Sequence, residues 1–523
     1  MTAIDPLPPR ESPTPIVDTD FRRLVATQCG GLLGIAGCLA AHSEAEKLLT
    51  RPMVGKLLLE AGQAEALIDE YGARQNRRWC RFRALIAVLK NFGRMAKELA
   101  HLDRRLPAYR LLPIEPDFPA ATRDCLHRVG QVLAGVSSGL LVEARELGLE
   151  TSPPTAIAAF AEPLPAGRLA NDRDERILVD TAATLTRLTT DFLNLEAEGA
   201  FVYASATGSP DLPPHALPSA ASEETLRQLT FRFHNLQSLY DTHVAGTAVE
   251  TADPDLPILR GHASVIYHLL EIATDLAHYY ERHLSPATGD GILRSRPAGD
   301  VEGVVGLLFP YTMVFGGAFL ASGKRLCQGI LRRYAEYGRL AVPVPSYRGF
   351  HVRPSNLVAR IVAHYGSGTT MELDGRVFDA GSPLDLFRAN ESINARKRRW
   401  LATEIARVSA ARGVGAPALE PAEAVLAIVN RLAGEGKIIL YRQPLELSDQ
   451  VGKRDGGVFE DVVAEVAQLQ ATGQLDIRTD LTVTFAGDRR VLADIDLLAR
   501  NGYGEDAFGN NVELPKALSY LRR

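Results

Sequence analysis

Cysteine is scarce: Cys29, Cys38, Cys80, Cys125 and Cys327 are the only five in 523 residues, and no two stand in a Cys-x-x-Cys pair. This excludes a disulfide-stapled scaffold and a cysteine-rich zinc site, and with no secretion signal ahead of them the thiols read as reduced, mostly packed residues of a cytoplasmic chain. Charge of one sign is lacking too, since 58 basic residues face 63 acidic ones for a net charge of −5, so nothing points to a nucleic-acid partner. There is no Gly-x-x-x-x-Gly-Lys-Ser/Thr phosphate loop, no His-Glu-x-x-His helix and no Gly-x-Gly-x-x-Gly after a strand; Gly434 and Gly436 lack the neighbours that motif needs. One Gly-x-Ser-x-Gly string occurs, from Gly135 to Gly139, but it lies inside a helical pattern, whereas a nucleophile elbow needs a strand before it. An ATP-dependent kinase is therefore not expected, and no cofactor is implied.

What is present is an ordinary globular composition, 46 % hydrophobic and 23 % charged, spread over more residues than one core usually supports. Two or three domains are expected. Residues 1–18, with Pro6, Pro8, Pro9, Pro13 and Pro15, read as a disordered lead-in. Residues 19–337 carry apolar residues at three- and four-residue spacing and predict an all-α helical bundle region of one or two subdomains, with helices over 45–69, 79–101, 120–147, 173–197, 222–245, 261–284 and 301–337. The basic residues interleaved in 79–101, such as Arg81, Lys90 and Arg94, read as a solvated face. Segments 151–168 and 204–221 read as connectors, and 285–300 as the clearest loop. Two uncharged runs, Leu24 to Ala41 and Val304 to Ser322, approach the length that spans a bilayer. Their glycines and Pro310 equally suit helices buried in a large bundle, so membrane insertion is not expected.

Six of the twelve histidines fall between positions 234 and 283. On the 261–284 helix, His268, Glu271, Asp275, His278 and Arg282 recur at steps of three and four and share one face. His268, Glu271 and His278 are thus weak metal-ligand candidates, since His and carboxylate groups one turn apart can bind a transition metal. The opposite face, Val265, Ile266, Leu269, Ile272, Ala273 and Leu276, is apolar, so the polar stripe reads first as a surface or interface stripe and no metal is expected. His234, on the 222–245 helix, is a further histidine that could carry a phosphoryl group, without motif support.

The stretch that carries chemistry is Tyr347-Arg348-Gly349-Phe350-His351-Val352-Arg353-Pro354-Ser355-Asn356, running into the apolar-periodic Leu357 to Ala363. Proline is favoured in a first helical turn, which places His351 at or just before a helix N-terminus. Free N–H groups, the positive end of the helix dipole and the Arg353 fork would all meet an anion carried on that imidazole.

These residues resemble the active-site segment of HPr, the histidine-containing phosphocarrier of the sugar phosphotransferase system. Gly349, His351, Arg353, Pro354 and Ser355 match its pattern; Phe350, Val352 and Asn356 depart from it. The elements that follow resemble the family in order: a helix over 354–365, a strand Thr369 to Leu373, the turn Asp374-Gly375, a strand Arg376 to Phe378, and Ile393-Asn394-Ala395-Arg396-Lys397 after an apparent insertion from Asp379 to Ser392. Lys397 stands where many relatives carry a regulatory serine, so kinase control is not expected. The strand Ile438 to Tyr441 and the helix from Val458 are expected to complete the module, leaving a tail without counterpart.

The resemblance implies a C-terminal α+β HPr-like open-faced β-sandwich with insertions over 338–475, opened by the strand Leu340 to Val344, and an α/β extension over 476–523. It implies His351 as the nucleophile, with Val352, Arg353, Pro354 and Ser355 binding phosphate, and as partners an enzyme I-like donor and an acceptor protein. An interaction module that keeps this fold without phosphotransfer is the competing expectation, and a helix-bundle metalloprotein the third.

Overall fold

The structure, a computed structural model, describes residues 15–150, 153–165, 167, 169–170, 180–207, 218–284, 299–410, 420–453, 458–478 and 480–522. Most of the expected lead-in, parts of both connectors, the start of the 173–197 helix and most of the 285–300 loop lie outside these residues. The chain divides into two compact units, Met1–Val179 with Leu195–Leu326, and Asp180–Asn194 with Cys327–Arg523.

The first unit is helical. Its elements are α1 (Asp18–Gln28), α2 (Gly30–Ala40), α3 (Arg51–Glu70), α4 (Cys80–Arg105), α5 (Phe118–Glu146), much of α6 (Thr181–Thr207), α7 (Glu223–His243), α8 (Ala248–Ala252), α9 (Asp255–Tyr279) with a π turn to Leu284, and most of α10 (Val301–Tyr334). Local chemistry sets the starts. The Thr50 hydroxyl accepts the Met53 N–H at 3.3 Å ahead of α3, the Asp117 carboxylate accepts the Ala120 N–H at 3.0 Å ahead of α5, and Ser222 does the same for Thr225 ahead of α7. Pro52 and Pro119 fill first-turn positions where a missing N–H costs nothing. Helix α4 packs on α3, α5 and α9, burying Phe82, Leu85, Ile86, Leu89, Phe92 and Leu99, each worth roughly 1.5–3 kcal/mol of transfer free energy. Phe118 of α5 meets Phe315 and Phe319 of α10 at 5.0 and 5.1 Å.

The stripe on α9 is set partly into the bundle, with Glu271 and His278 half-buried and Arg282 exposed beyond the end of the helix. His268 and Asp275 are 8 % and 5 % exposed. The reason is that α9 is enclosed: Glu98 and Arg94 of α4 meet His268 at 2.7 Å and Asp275 at 3.4 Å, while Glu223 of α7 meets His278 at 3.0 Å. A polar stripe thus reads the same whether it faces water or polar partners on neighbouring helices.

The two uncharged runs fare differently. Leu24 to Ala41 breaks at Cys29 into α1 and α2, bent by 62°, whereas α10 runs unbroken through Pro310 and the Gly316-Gly317 pair. Gly316 is demanded by close approach, because a Cβ there would strike the Tyr203 ring. By length and composition α10 and α5 could each cross a membrane, and the bent α1–α2 pair passes the same test if taken as one span.

The second unit holds a four-stranded antiparallel sheet ordered β1 (Tyr337–Pro343), β6 (Thr482–Asp488), β2 (Thr370–Leu373), β3 (Arg376–Asp379). Asp374 and Gly375, both with positive φ, make the tight β2–β3 turn. Pro343 lies on the edge strand β1, where its missing N–H is tolerated. Buried Val342, Met371, Leu373, Val483 and Phe485 form the core side of the sheet, and Arg339 pairs with Glu372 on the exposed side. Helices α11 (Val352–Tyr365), α12 (Pro383–Ala410) and α15 (Arg489–Arg500) belong to this unit, and α11 packs against both others.

Several sequence expectations are corrected. The expected insertion Asp379–Ser392 is largely the opening of α12, which starts at Pro383 and runs through Ile393 to Lys397. Ile438–Tyr441 does not join the main sheet: β4 (Ile438–Leu440) pairs with β5 (Leu475–Ile477) in a separate two-stranded sheet. With α13 (Pro421–Gly434) and α14 (Val458–Ala471), these strands build a second small core around Val425, Val429, Leu432, Val462 and Leu469, packed on Leu401 and Ile405 of α12. The strand between β1 and β2 and the helix after it come instead from the tail, as β6 and α15. A boundary at 475/476 would cut β5 and part β6 from its sheet. The segment Asp180–Asn194 likewise belongs to this unit, where Asn194 bonds His364 at 3.2 Å.

Candidate functional site

The loop from β1 to α11 turns through two consecutive left-handed residues, Arg348 (φ 54°) and Gly349 (φ 64°). A non-glycine residue there is costly and persists only when its surroundings hold it. They do. The Asp476 carboxylate accepts the Arg348 N–H at 3.0 Å, and the Asn390 side chain accepts the Phe350 N–H at 2.9 Å while donating to the Arg348 carbonyl at 3.0 Å. A Cβ at Gly349 would strike Asn390 Oδ1, so glycine is required on steric grounds as well. Asp476 is itself held by Lys397 at 3.1 Å, both side chains at most 4 % exposed. Lys397 is therefore a buried anchor of this loop.

This loop delivers His351 to the N-cap of α11, with extended backbone (φ −77°, ψ −167°) and its carbonyl accepting the Ser355 N–H at 3.1 Å. Val352 and Arg353 stand in the first turn, where N–H groups have no intrahelical acceptor. Pro354 and Ser355 are buried, and the Ser355 hydroxyl donates to the Phe350 carbonyl at 2.8 Å, a structural rather than a phosphate contact. The Val352 side chain is 63 % exposed, so its bulk faces outward at the helix start.

Around the imidazole the tail closes in. His351 Nε2 lies 2.7 Å from Glu505 Oε2, and the Tyr347 ring meets the imidazole edge-on at 5.4 Å. Arg353 lies 3.6 Å from Glu505 Oε1 and donates to the Asn511 side-chain oxygen. The Glu505 side chain is 6 % exposed, against 24 % for His351 and 38 % for Arg353. A bridge pairing Glu505 with Asn511, and the Val512 N–H bonded to the Gly504 carbonyl at 3.0 Å, hold the tail loop in place. Beside it a cleft of about 600 Å³ opens between Arg353, Leu357 and Arg360 of α11 and Val512, Leu514 and Arg522 of the tail.

The structure thus gathers His351, Val352, Arg353, Pro354 and Ser355 at one helix start. It adds Asn390, Asp476, Glu505 and Asn511, which sequence reading missed. The last two come from the Gly-rich stretch 502–511, more than 150 positions away, and no spacing rule connects them to His351. In the first unit His268, Glu271 and His278 do not converge: His268 pairs with Glu98 and His278 with Glu223. Among the described residues no group of three or more His, Cys, Asp or Glu is placed to hold a metal ion. His234 stays on the exposed side of α7, its ring 5.6 Å from Tyr267. Comparisons with protein-family models, with curated proteins and with solved structures return no match for this chain, so its chemistry is argued from the site alone.

Proposed function

We propose that the second unit is an HPr-like phosphocarrier in which His351 takes a phosphoryl group from the phosphohistidine of an enzyme I-like donor and passes it to an acceptor protein. One observation carries this reading: a histidine at the N-cap of a 14-residue helix, with an arginine two positions on, held there by a left-handed loop. The helix end and the Arg353 fork favour the added negative charge, and a neutral imidazole is a competent nucleophile near physiological pH. The chain order strand, helix, hairpin, helix, strand, helix and the strand order β1-β6-β2-β3 support an HPr-like open-faced sandwich, with residues 421–477 as its insertion. The helical unit then serves as a regulator and the protein works in the cytoplasm. Incubating the purified chain with phosphoenolpyruvate and enzyme I tests this: intact mass under alkaline conditions gains one phosphate in the wild type and none in His351→Ala.

A second reading has its own support. Glu505 and Asn511 occupy the two groups that would meet a phosphate, which suits an interaction module that keeps the fold without phosphotransfer. A wild type that stays unmodified with a donor from its own organism would favour this alternative.

A further inference from the structure

Among the described residues, Glu505 is the buried carboxylate that meets the candidate nucleophile. It comes from the tail, it touches His351 at a single ring nitrogen, and its other oxygen faces Arg353. A carboxylate has no proton to give at neutral pH, so in the 2.7 Å contact Nε2 must be the donor. A neutral imidazole whose Nε2 carries the proton has its lone pair on Nδ1.

We infer that Glu505 is a positioning residue for phosphoryl transfer: it holds the Nε2–H of His351, fixes the ring's orientation and tautomer, and leaves Nδ1 as the accepting atom. This deepens the phosphocarrier reading and rests on it. In the step, the Nδ1 lone pair forms a new N–P bond while the P–N bond of the donor's phosphohistidine breaks. Its electron pair returns to a donor imidazole that carries a proton on its other nitrogen and leaves neutral. The proton on His351 Nε2 stays where it is, so the phosphorylated ring is cationic and faces the Glu505 carboxylate. The charge on Glu505 therefore matters more after transfer than before, which is how a group off the reaction axis lowers a barrier. Arg353, shared between Glu505 and Asn511, is left to meet the phosphoryl oxygens from the helix side. The arrangement has the logic of the carboxylate–histidine pairs behind metal ligands, where losing the outer carboxylate costs about 10- to 100-fold.

The geometry admits a rival: Glu505 could instead be a gate whose negative charge repels the incoming phosphoryl group. The two roles predict opposite signs. The experiment uses the full chain, as wild type, Glu505→Gln, which keeps an acceptor but not the charge, and Glu505→Ala. Phosphorylation rates with phosphoenolpyruvate and enzyme I are read beside long-range ¹H–¹⁵N spectra of the His351 ring in the unphosphorylated protein. A positioning role predicts a slowly exchanging Nε2–H signal in the wild type that Ala abolishes. Rates would fall by about 10-fold or more in Ala, with Gln between Ala and wild type. Equal or faster transfer in Gln overturns the inference and makes Glu505 a gate. So does a ring spectrum unchanged in Ala. A wild type that takes up no phosphate overturns the phosphocarrier reading itself, and the ring spectrum of the same sample still decides whether Glu505 holds the proton.

Discussion

At the scale of single residues, Arg353 is the side chain whose removal tests the anion cradle without disturbing the fold, because it is part-exposed and caps no element. Replacing it with alanine is expected to slow phosphorylation of His351 by about 100-fold, the usual cost of deleting one charged donor from such a site. Arg353→Lys, a point charge without the planar fork, should fall between, and thermal melting should be unchanged for both. Asp275 makes a separate prediction in the helical unit. Burial pushes its carboxyl up to about 7, outweighing the Arg94 charge 3.4 Å away. The folded state therefore binds a proton that the unfolded chain has released above its ordinary value near 4. Stability attributable to this group is present at low pH, declines as pH rises from about 4 to about 7, and is flat beyond. Asp275→Asn should remove that decline, up to about 4 kcal/mol, and melt higher than wild type at pH 8 in a pH series of thermal melts.

At the scale of elements, the β4–β5 insertion is tied to the site chiefly through Asp476 of β5, which holds both Lys397 of α12 and the strained Arg348 backbone. Truncating one partner of a buried ion pair leaves the other uncompensated, at a cost of about 3–5 kcal/mol. Lys397→Met is therefore expected to lower stability by that order in denaturant melts and to slow transfer as well, because Arg348 and Gly349 aim His351. A variant that keeps wild-type stability would show that the insertion is not an anchor. Elements were largely legible beforehand: helix periodicity, the Asp374-Gly375 turn and the Arg-Pro helix start each rest on neighbouring residues, and their helices and hairpin form where expected. Pairing was not. Ile438–Leu440 and Thr482–Asp488 are both short segments that read as strands, and nothing local says which enters the sheet between β1 and β2. Chain order favours the nearer segment, while the sheet takes the farther one. Glu505 was hidden for the same reason, and the α9 stripe because burial among polar partners leaves the same pattern as exposure to water.

At the scale of the whole molecule, the chain has two units, each with its own core, and the second is built from two stretches of sequence. A fragment starting at Cys327 lacks Asp180–Asn194, with its Asn194–His364 and Thr190–Arg490 contacts, and should melt lower than the same unit in the full chain. The apolar helices α5 and α10 meet through Phe118, Tyr311, Phe315 and Phe319, all of them buried. Cell fractionation is expected to place the chain in the soluble fraction; retention in membranes after an alkaline carbonate wash would instead make α10 a span. Whether His351 carries phosphate is decided by peptide mapping of the chain after incubation with phosphoenolpyruvate and enzyme I. One acid-labile phosphate is expected, on the peptide containing His351. A phosphate on another histidine, or none with a donor from the same organism, would contradict it.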